Sequence, residues 1–154
     1  MTKDEIITYV RVRAHNPALI LAIIEQESSF NEKATANDHN GGSFGLMQLN
    51  IPTARDMGIL TMIPSVYRTA EGDRLAISKA LLDPQINMQI GMKYIDWIAS
   101  YLRRKNLYTL ERNIAAYNVG VGNVVKGVSD RAYSDSVLLR YKRWQAQLAE
   151  TQGP

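Results

Sequence analysis

The chain contains no cysteine. That excludes disulfide scaffolds, thiolate metal sites and cysteine nucleophiles together. Histidine is nearly missing as well. With only His15 and His39, a site needing three imidazoles is excluded. No long apolar run exists: the longest, Ala18 to Ile24, is too short to span a bilayer. The opening residues Met1-Thr2-Lys3-Asp4-Glu5 are polar and lead into no signal-type segment. Strong charge of one sign is absent too. Eighteen Lys and Arg against fifteen Asp and Glu leave +3. That mild excess suits anionic partners, such as nucleic acid, a membrane surface or an acidic polymer, without choosing among them.

What remains is ordinary globular material. The chain has 154 residues, 45% apolar and 21% charged. This predicts one self-sufficient domain over 1–154, with a core of its own.

The periodicity is mostly helical. Asn16-Pro17 pairs an N-cap residue with proline at the first helical position and predicts a helix from Ala18 to about Ser28. Within it Ile20, Ile23, Ile24 and Glu27 share one face. Asn31 to Ser43 is polar and glycine-rich and reads as a loop with room for short strands. Leu60 to Leu82 reads as loop plus a short helix. Asp83-Pro84 repeats the start signal. Ile86, Ile90, Tyr94, Trp97, Ile98 and Tyr101 then mark a long helix to about Arg104. Thr109 to Asn118 predicts another helix, with Gly120 to Gly127 as its glycine-rich exit. Val137, Tyr141, Trp144 and Leu148 predict a final one.

Several patterns lack the context their chemistry requires. Gly41-Gly42-Ser43-Phe44-Gly45 matches a nucleophile-elbow string. However, polar loop precedes it and no histidine follows Ser43, so a flexible turn is the better reading. Gly120-Val121-Gly122 lacks the third glycine and the strand of a dinucleotide site. His39 reads as a solvated loop residue. Arg103-Arg104-Lys105 and Arg140, Lys142, Arg143 read as solvated cations on helix ends or faces. Contact with an anionic polymer is the functional alternative.

Glu27 is the first candidate for chemistry. It follows Ile23 and Ile24 on an apolar face, where partial desolvation raises a carboxyl pKa and equips it as a general acid. The plainer reading is a helix-end carboxylate satisfied by local donors. Glu25, about 200° round the helix, should face elsewhere.

The neighbourhood of Glu27 narrows this choice. Glu27-Ser28-Ser29-Phe30-Asn31 is followed by Gly45-Leu46-Met47-Gln48 and Pro52-Thr53-Ala54. Asn87, Gly91-Met92-Lys93-Tyr94 and Ala115-Ala116-Tyr117-Asn118-Val119-Gly120-Val121-Gly122 come after them. This ordered set, from about residue 17 to 125, resembles the soluble lytic transglycosylase family of the lysozyme-like superfamily. The resemblance implies a mainly helical, α+β lysozyme-like fold: a helical domain with a small irregular or β-like lobe flanking a saccharide cleft. It implies cleavage between N-acetylmuramic acid and N-acetylglucosamine with a 1,6-anhydromuramyl end, Glu27 being the single acid/base. Ser28 is expected to contact substrate. Gly45 would let the backbone approach a sugar, and Gln48 would hydrogen-bond an N-acetyl or hydroxyl group. Met47 would form a soft wall. Tyr117 would hold the Glu27 carboxyl or line the cleft, and Asn118 would orient the adjoining loop. For Met47 and Tyr117, core packing is the plainer reading.

The chain departs from the family pattern where Ala36 replaces a serine often found there, and in longer stretches at 31–45 and 58–81. A likeness to goose-type lysozymes keeps a hydrolytic muramidase open, with Asp38 as second carboxylate. Asn50 stands where an aspartate often follows Gly-Leu-Met-Gln, which favours ring closure. A non-catalytic wall-binding module is the reading from another class. The expected partner is peptidoglycan glycan strands, acted on by a monomer. No cofactor, metal, nucleic-acid binding or membrane insertion is expected. With no leader visible, a cytoplasmically made phage lysis or virion enzyme, reaching the wall on release, is the expectation for localisation.

Overall fold

The computed structural model describes residues 1–38, 41–68 and 72–151. Its first helix, α1 (Lys3–Arg13), is one the polar opening does not suggest. A capping box starts it: the Glu5 amide donates to Thr2 Oγ1 (3.2 Å) and the Thr2 amide to the Glu5 carboxylate (2.7 Å). It buries only Ile6, Tyr9 and Val10, too sparse a stripe to stand out.

Helix α2 (Pro17–Ser28) begins where its cap residue predicts, with Asn16 Oδ1 accepting from the Leu19 amide at 3.3 Å. Every residue from Ala18 to Ile24 is buried. A helix apolar all round must run through a core, and α2 does. It is covered by α1 on one flank and by the last helix, α8 (Arg131–Glu150), along another. Ser29 and Phe30 end it in the left-handed region, at φ of 51° and 65°.

The loop holds three two-residue strands: β1 (Thr35–Ala36), β2 (Ser43–Phe44) and β3 (Leu49–Asn50). They pair antiparallel in chain order, Thr35 opposite Phe44 and Ser43 opposite Asn50. The third strand lies beyond the stretch the sequence marks as loop. Asn50 then caps α3 (Ile51–Asp56), accepting from the Thr53 amide at 2.9 Å. Short 3-10 turns at Ile59–Thr61 and Ser65–Tyr67 lead to α4 (Asp73–Leu81).

Helix α5 (Pro84–Arg104) starts at Asp83, which accepts from the Gln85 and Ile86 amides. It is followed by α6 (Leu110–Val119) and α7 (Val121–Val125). The glycine-rich exit of α6 is thus itself partly helical. Gly120 (φ 87°) turns the chain between the two helices.

Two apolar clusters result. The larger gathers α1, α2, the turn after β2, α3, α4 and the first half of α5, with Val137 and Trp144 of α8. The smaller joins Ile98 and Leu102 of α5 to Ala115, Ala116 and Val124. Each fully buried aliphatic side chain contributes roughly 1.5–3 kcal/mol of transfer free energy. Together these elements form the mainly helical architecture with a small sheet that the resemblance implies. Among the described residues, no helix is long and apolar enough to cross a membrane. His39 lies outside the described residues.

Candidate active site

Glu27 stands on the last turn of α2, half-buried. Tyr133, on the first turn of α8, donates its hydroxyl to Glu27 Oε1 at 2.6 Å. Tyr133 is placed by Asp130, whose carboxylate caps α8 by accepting from the Tyr133 amide at 3.1 Å. Burial raises the Glu27 pKa above its ordinary 4.5, and the Tyr133 hydrogen bond opposes the shift without cancelling it. The adjoining side chains on α2 also meet α8. Gln26 Oε1 accepts from Ser136 Oγ at 2.6 Å. Glu25 pairs with Arg143 and accepts from Trp144 Nε1 at 3.0 Å, farther along the helix.

Tyr117 comes in from α6. Its hydroxyl donates to the Met47 carbonyl at 2.6 Å. Burial, and then the charge of Glu27, push its pKa well above the ordinary phenol value. Tyr117 also lines a cavity of about 210 Å³ with Gln48, Asn50, Thr53, Tyr94 and Asn118. Glu27 is not among the residues facing that cavity.

A buried asparagine sets the turn from Gly45 to Gln48. Asn87, fully buried on α5, accepts from the Met47 amide at 2.9 Å. Its Nδ2 donates to the Phe44 and Leu81 carbonyls, both at 2.8 Å. One side chain thereby ties β2, the turn and the end of α4 to α5.

The transglycosylase SLT domain matches this chain over residues 5–136, most of its length, with Glu27, Asn87, Tyr117 and Tyr133 inside the match. The chain belongs to that family. Solved structures agree on the fold of this SLT domain. The 70 kDa soluble lytic transglycosylase of Escherichia coli superimposes with a TM-score of 0.66 at 23% identity. That match covers 96% of this chain and 24% of that one. An inactive mutant of the Pseudomonas aeruginosa lytic transglycosylase Slt, carrying glutamine for a glutamate, gives 0.68 at 23% identity with the same coverage. A complex of a 70 kDa soluble lytic transglycosylase with bulgecin A gives 0.53 at 25% identity, over 90% of this chain and 19% of that one. The SLT domain thus spans about a quarter of the first two.

The geometry redistributes several roles read from the sequence. Met47 does not form a cleft wall. Its side chain is fully buried, because Gly91 on α5 leaves room for its sulfur where a Cβ would collide with it. Gly45 likewise faces inward. It is buried at φ 76°, and a Cβ there would strike the Leu81 carbonyl and the Asn87 amide. The close approach it permits is to the domain's own α4–α5 corner rather than to a sugar. Gln48 borders the cavity, but its Nε2 donates to the Ala34 and Gly45 carbonyls (3.1 and 3.0 Å). Ser28 Oγ donates back to the Ile24 carbonyl at 3.1 Å. Asn118 is exposed beside the cavity. Asp38 accepts from the Gly42 amide at 2.9 Å and from Ser43 Oγ, holding the β1–β2 hairpin.

Of the two roles open to Tyr117, it lines the cavity; the hydrogen bond to the Glu27 carboxyl comes from Tyr133. Sequence reasoning missed Tyr133. The signal was its position four residues before Val137, which places a hydroxyl on the inward stripe of α8. A larger cavity of about 430 Å³ lies between α6, α7 and α8, beside Arg112, Val124, Arg131 and Ser134. None of the other roles read from the motifs falls there. Among the described residues, no group of three or more His, Asp or Glu is placed to hold a metal ion.

Tyr133→Phe is expected to lower kcat about tenfold, the effect of one lost hydrogen bond to a charged group. The Tyr133 bond lowers the Glu27 pKa, so with Glu27 as general acid its removal is expected to move the alkaline limb of the kcat/KM profile to higher pH. A purely structural Tyr133 would reduce the unfolding temperature and leave that limb in place.

Proposed function

We propose that this SLT domain is a peptidoglycan lytic transglycosylase in which Glu27 acts alone as acid and base. The observation that carries the reading is the Glu27 carboxyl itself. It is protonated to higher pH than usual by burial, oriented by Tyr133, and coupled electrostatically to Tyr117 at the cavity wall. The inactive glutamine-for-glutamate relative supports a glutamate as the essential group.

The proposed reaction uses that carboxyl twice. Glu27 gives its proton to the glycosidic oxygen between N-acetylmuramic acid and N-acetylglucosamine, and the bond from C1 to that oxygen breaks. Positive charge develops on C1 and the ring oxygen. The Glu27 carboxylate then takes the proton of the muramyl C6 hydroxyl as that oxygen bonds to C1. The anhydro ring closes, Glu27 regains its proton, and no water is consumed. This differs from glycosidases that need a second carboxylate as base or nucleophile. The positions of Asp38 and Asn50 support ring closure. Asp38 is engaged with Gly42 and Ser43, and Asn50 serves as a helix cap.

Mass spectrometry of products from purified peptidoglycan tests the proposal. Muramyl ends one water lighter than hydrolytic ends are expected. Reducing muramyl ends would establish a muramidase instead, and no soluble fragment from folded protein would favour a binding module. Asp38→Asn separates the first two by rate. A transglycosylase keeps most of its turnover, whereas a muramidase using Asp38 loses about two orders of magnitude or more.

A further inference from the structure

We propose that an aromatic row on α5 extends the cleft as a platform for pyranose rings, so that a long glycan strand continues from Tyr94 onto Trp97 and Tyr101. This rests on the reading of the substrate as a glycan.

The three rings fall at i, i+3 and i+7, on one face of the helix. They touch in series. The Tyr117 and Tyr94 centroids are 5.5 Å apart, Tyr94 and Trp97 6.1 Å with planes within 17°, and Trp97 and Tyr101 5.5 Å. Tyr94 and Tyr117 line the cavity of about 210 Å³ beside Gln48, so the row begins there and leads outward. The helical stripe seen in the sequence therefore divides. Ile86, Ile90 and Ile98 enter the core, while Trp97 stays 39% exposed. The second tryptophan, Trp144, is only 2% exposed. Tyr94 and Tyr101 are half-buried on either side of Trp97, which is thus not an isolated exposed residue but the crest of a continuous row of rings.

The chemistry of the row selects its occupant. A pyranose presents C–H groups from its apolar face, and these suit the electron-rich faces of aromatic rings. Its rim of hydroxyls needs polar neighbours, and exposed Asp96, paired with His15 at 2.8 Å, stands on the same turn of α5 as Trp97. The outer end of the row is cationic. Lys105 Nζ lies 5.8 Å from the Tyr101 ring centroid, and exposed Arg103 and Arg104 flank it. Carboxylates carried on a wall glycan meet favourable charge there. The exposed aliphatic side chains Val12, Val66, Val125, Val128 and Leu139 all stand on other elements. A row of rings with polar margins fits a sugar strand better than it fits a protein face.

The test uses Trp97 as reporter. Glu27→Gln protein is titrated with peptide-free glycan strands, a tetrasaccharide or a long strand, while acrylamide quenches tryptophan fluorescence. Trp144 is buried, so the quenching reports Trp97. Long strands are expected to protect it and the tetrasaccharide to protect it far less. In enzyme retaining Glu27, a Trp97→Ala/Tyr101→Ala double substitution is expected to raise KM for long strands about tenfold, the loss of one strong aromatic contact. The advantage of long over short strands disappears with it. Trp97 left equally quenchable by strands that the parent enzyme cleaves would overturn the platform alone. A parent that neither cleaves nor binds glycan would overturn the underlying reading and the platform together. A dimer dissolved by Trp97→Ala would make the row a self-association surface and overturn the proposal.

Discussion

Glu27→Gln is expected to abolish cleavage of peptidoglycan while making the folded protein more stable near neutral pH. The loss of activity follows from the proposed double use of one carboxyl. An amide neither donates a proton to the leaving oxygen nor accepts one from the C6 hydroxyl, so turnover falls by about 10²–10⁴ or more. The fold is kept, because the amide oxygen can still accept from Tyr133. The gain in stability follows from the direction of the pKa shift. In the unfolded chain Glu27 titrates near its ordinary 4.5; in the fold it titrates higher. Below the ordinary value both states hold the proton, and the carboxyl makes no pH-dependent difference. Between the two values the unfolded chain releases a proton that the fold retains, so stability falls as pH rises. Above the raised value the penalty is complete, and Gln escapes it. Unfolding temperatures of parent and variant should therefore converge in acid and separate toward neutral pH. Retained turnover would remove Glu27 as the acid. An unchanged gap across pH would remove the argument from burial.

The second large effect belongs to a residue that touches no substrate. Asn87→Ala is expected to lower stability by about 3–5 kcal/mol, from a buried amide, a buried carbonyl and a half-buried carbonyl that lose their partner. For a domain of this size that is on the order of 10 °C in unfolding temperature. Thermal unfolding followed by circular dichroism checks it. A loss under about 1 kcal/mol would mean that the three bonds of Asn87 are replaceable, for instance by water. Activity should fall along with stability. Asn87 holds the Met47 amide, and the Met47 carbonyl receives the Tyr117 hydroxyl. The same turn carries Gln48 to the cavity.

Asn87 also shows how a motif can be legible while its role is not. Gly45, Met47 and Gly91 belong to patterns that point to a saccharide enzyme. The resemblance implies contact with sugar for Gly45 and Met47, with core packing the plainer reading of Met47. In the fold they serve one another: Gly91 leaves space for the Met47 sulfur, and Gly45 leaves space for Asn87. Such pairings join residues about forty positions apart, and no local rule connects them.

What the sequence determined by itself were the features whose causes are local. Asn16-Pro17, Asp83-Pro84 and Thr109 started their helices where expected, because a cap and its amides lie within three residues of each other. The periodicity after Pro17 gave a helix with an apolar face and put Glu27 near its end; that the run from Ala18 to Ile24 is buried on every side is a finding of the structure. The order of the motifs pointed to the family. Helix α1 was missed although Thr2 and Glu5 carry its capping box, because its buried stripe is too thin to register as periodic. Only the tertiary structure decided which hydroxyl holds Glu27, where Gln48 directs its amide, and which rings of α5 remain outside. Tyr133 reaches Glu27 across 106 positions of chain. That contact exists because α8 packs along α2, and the packing of two helices depends on the whole core rather than on any segment of it.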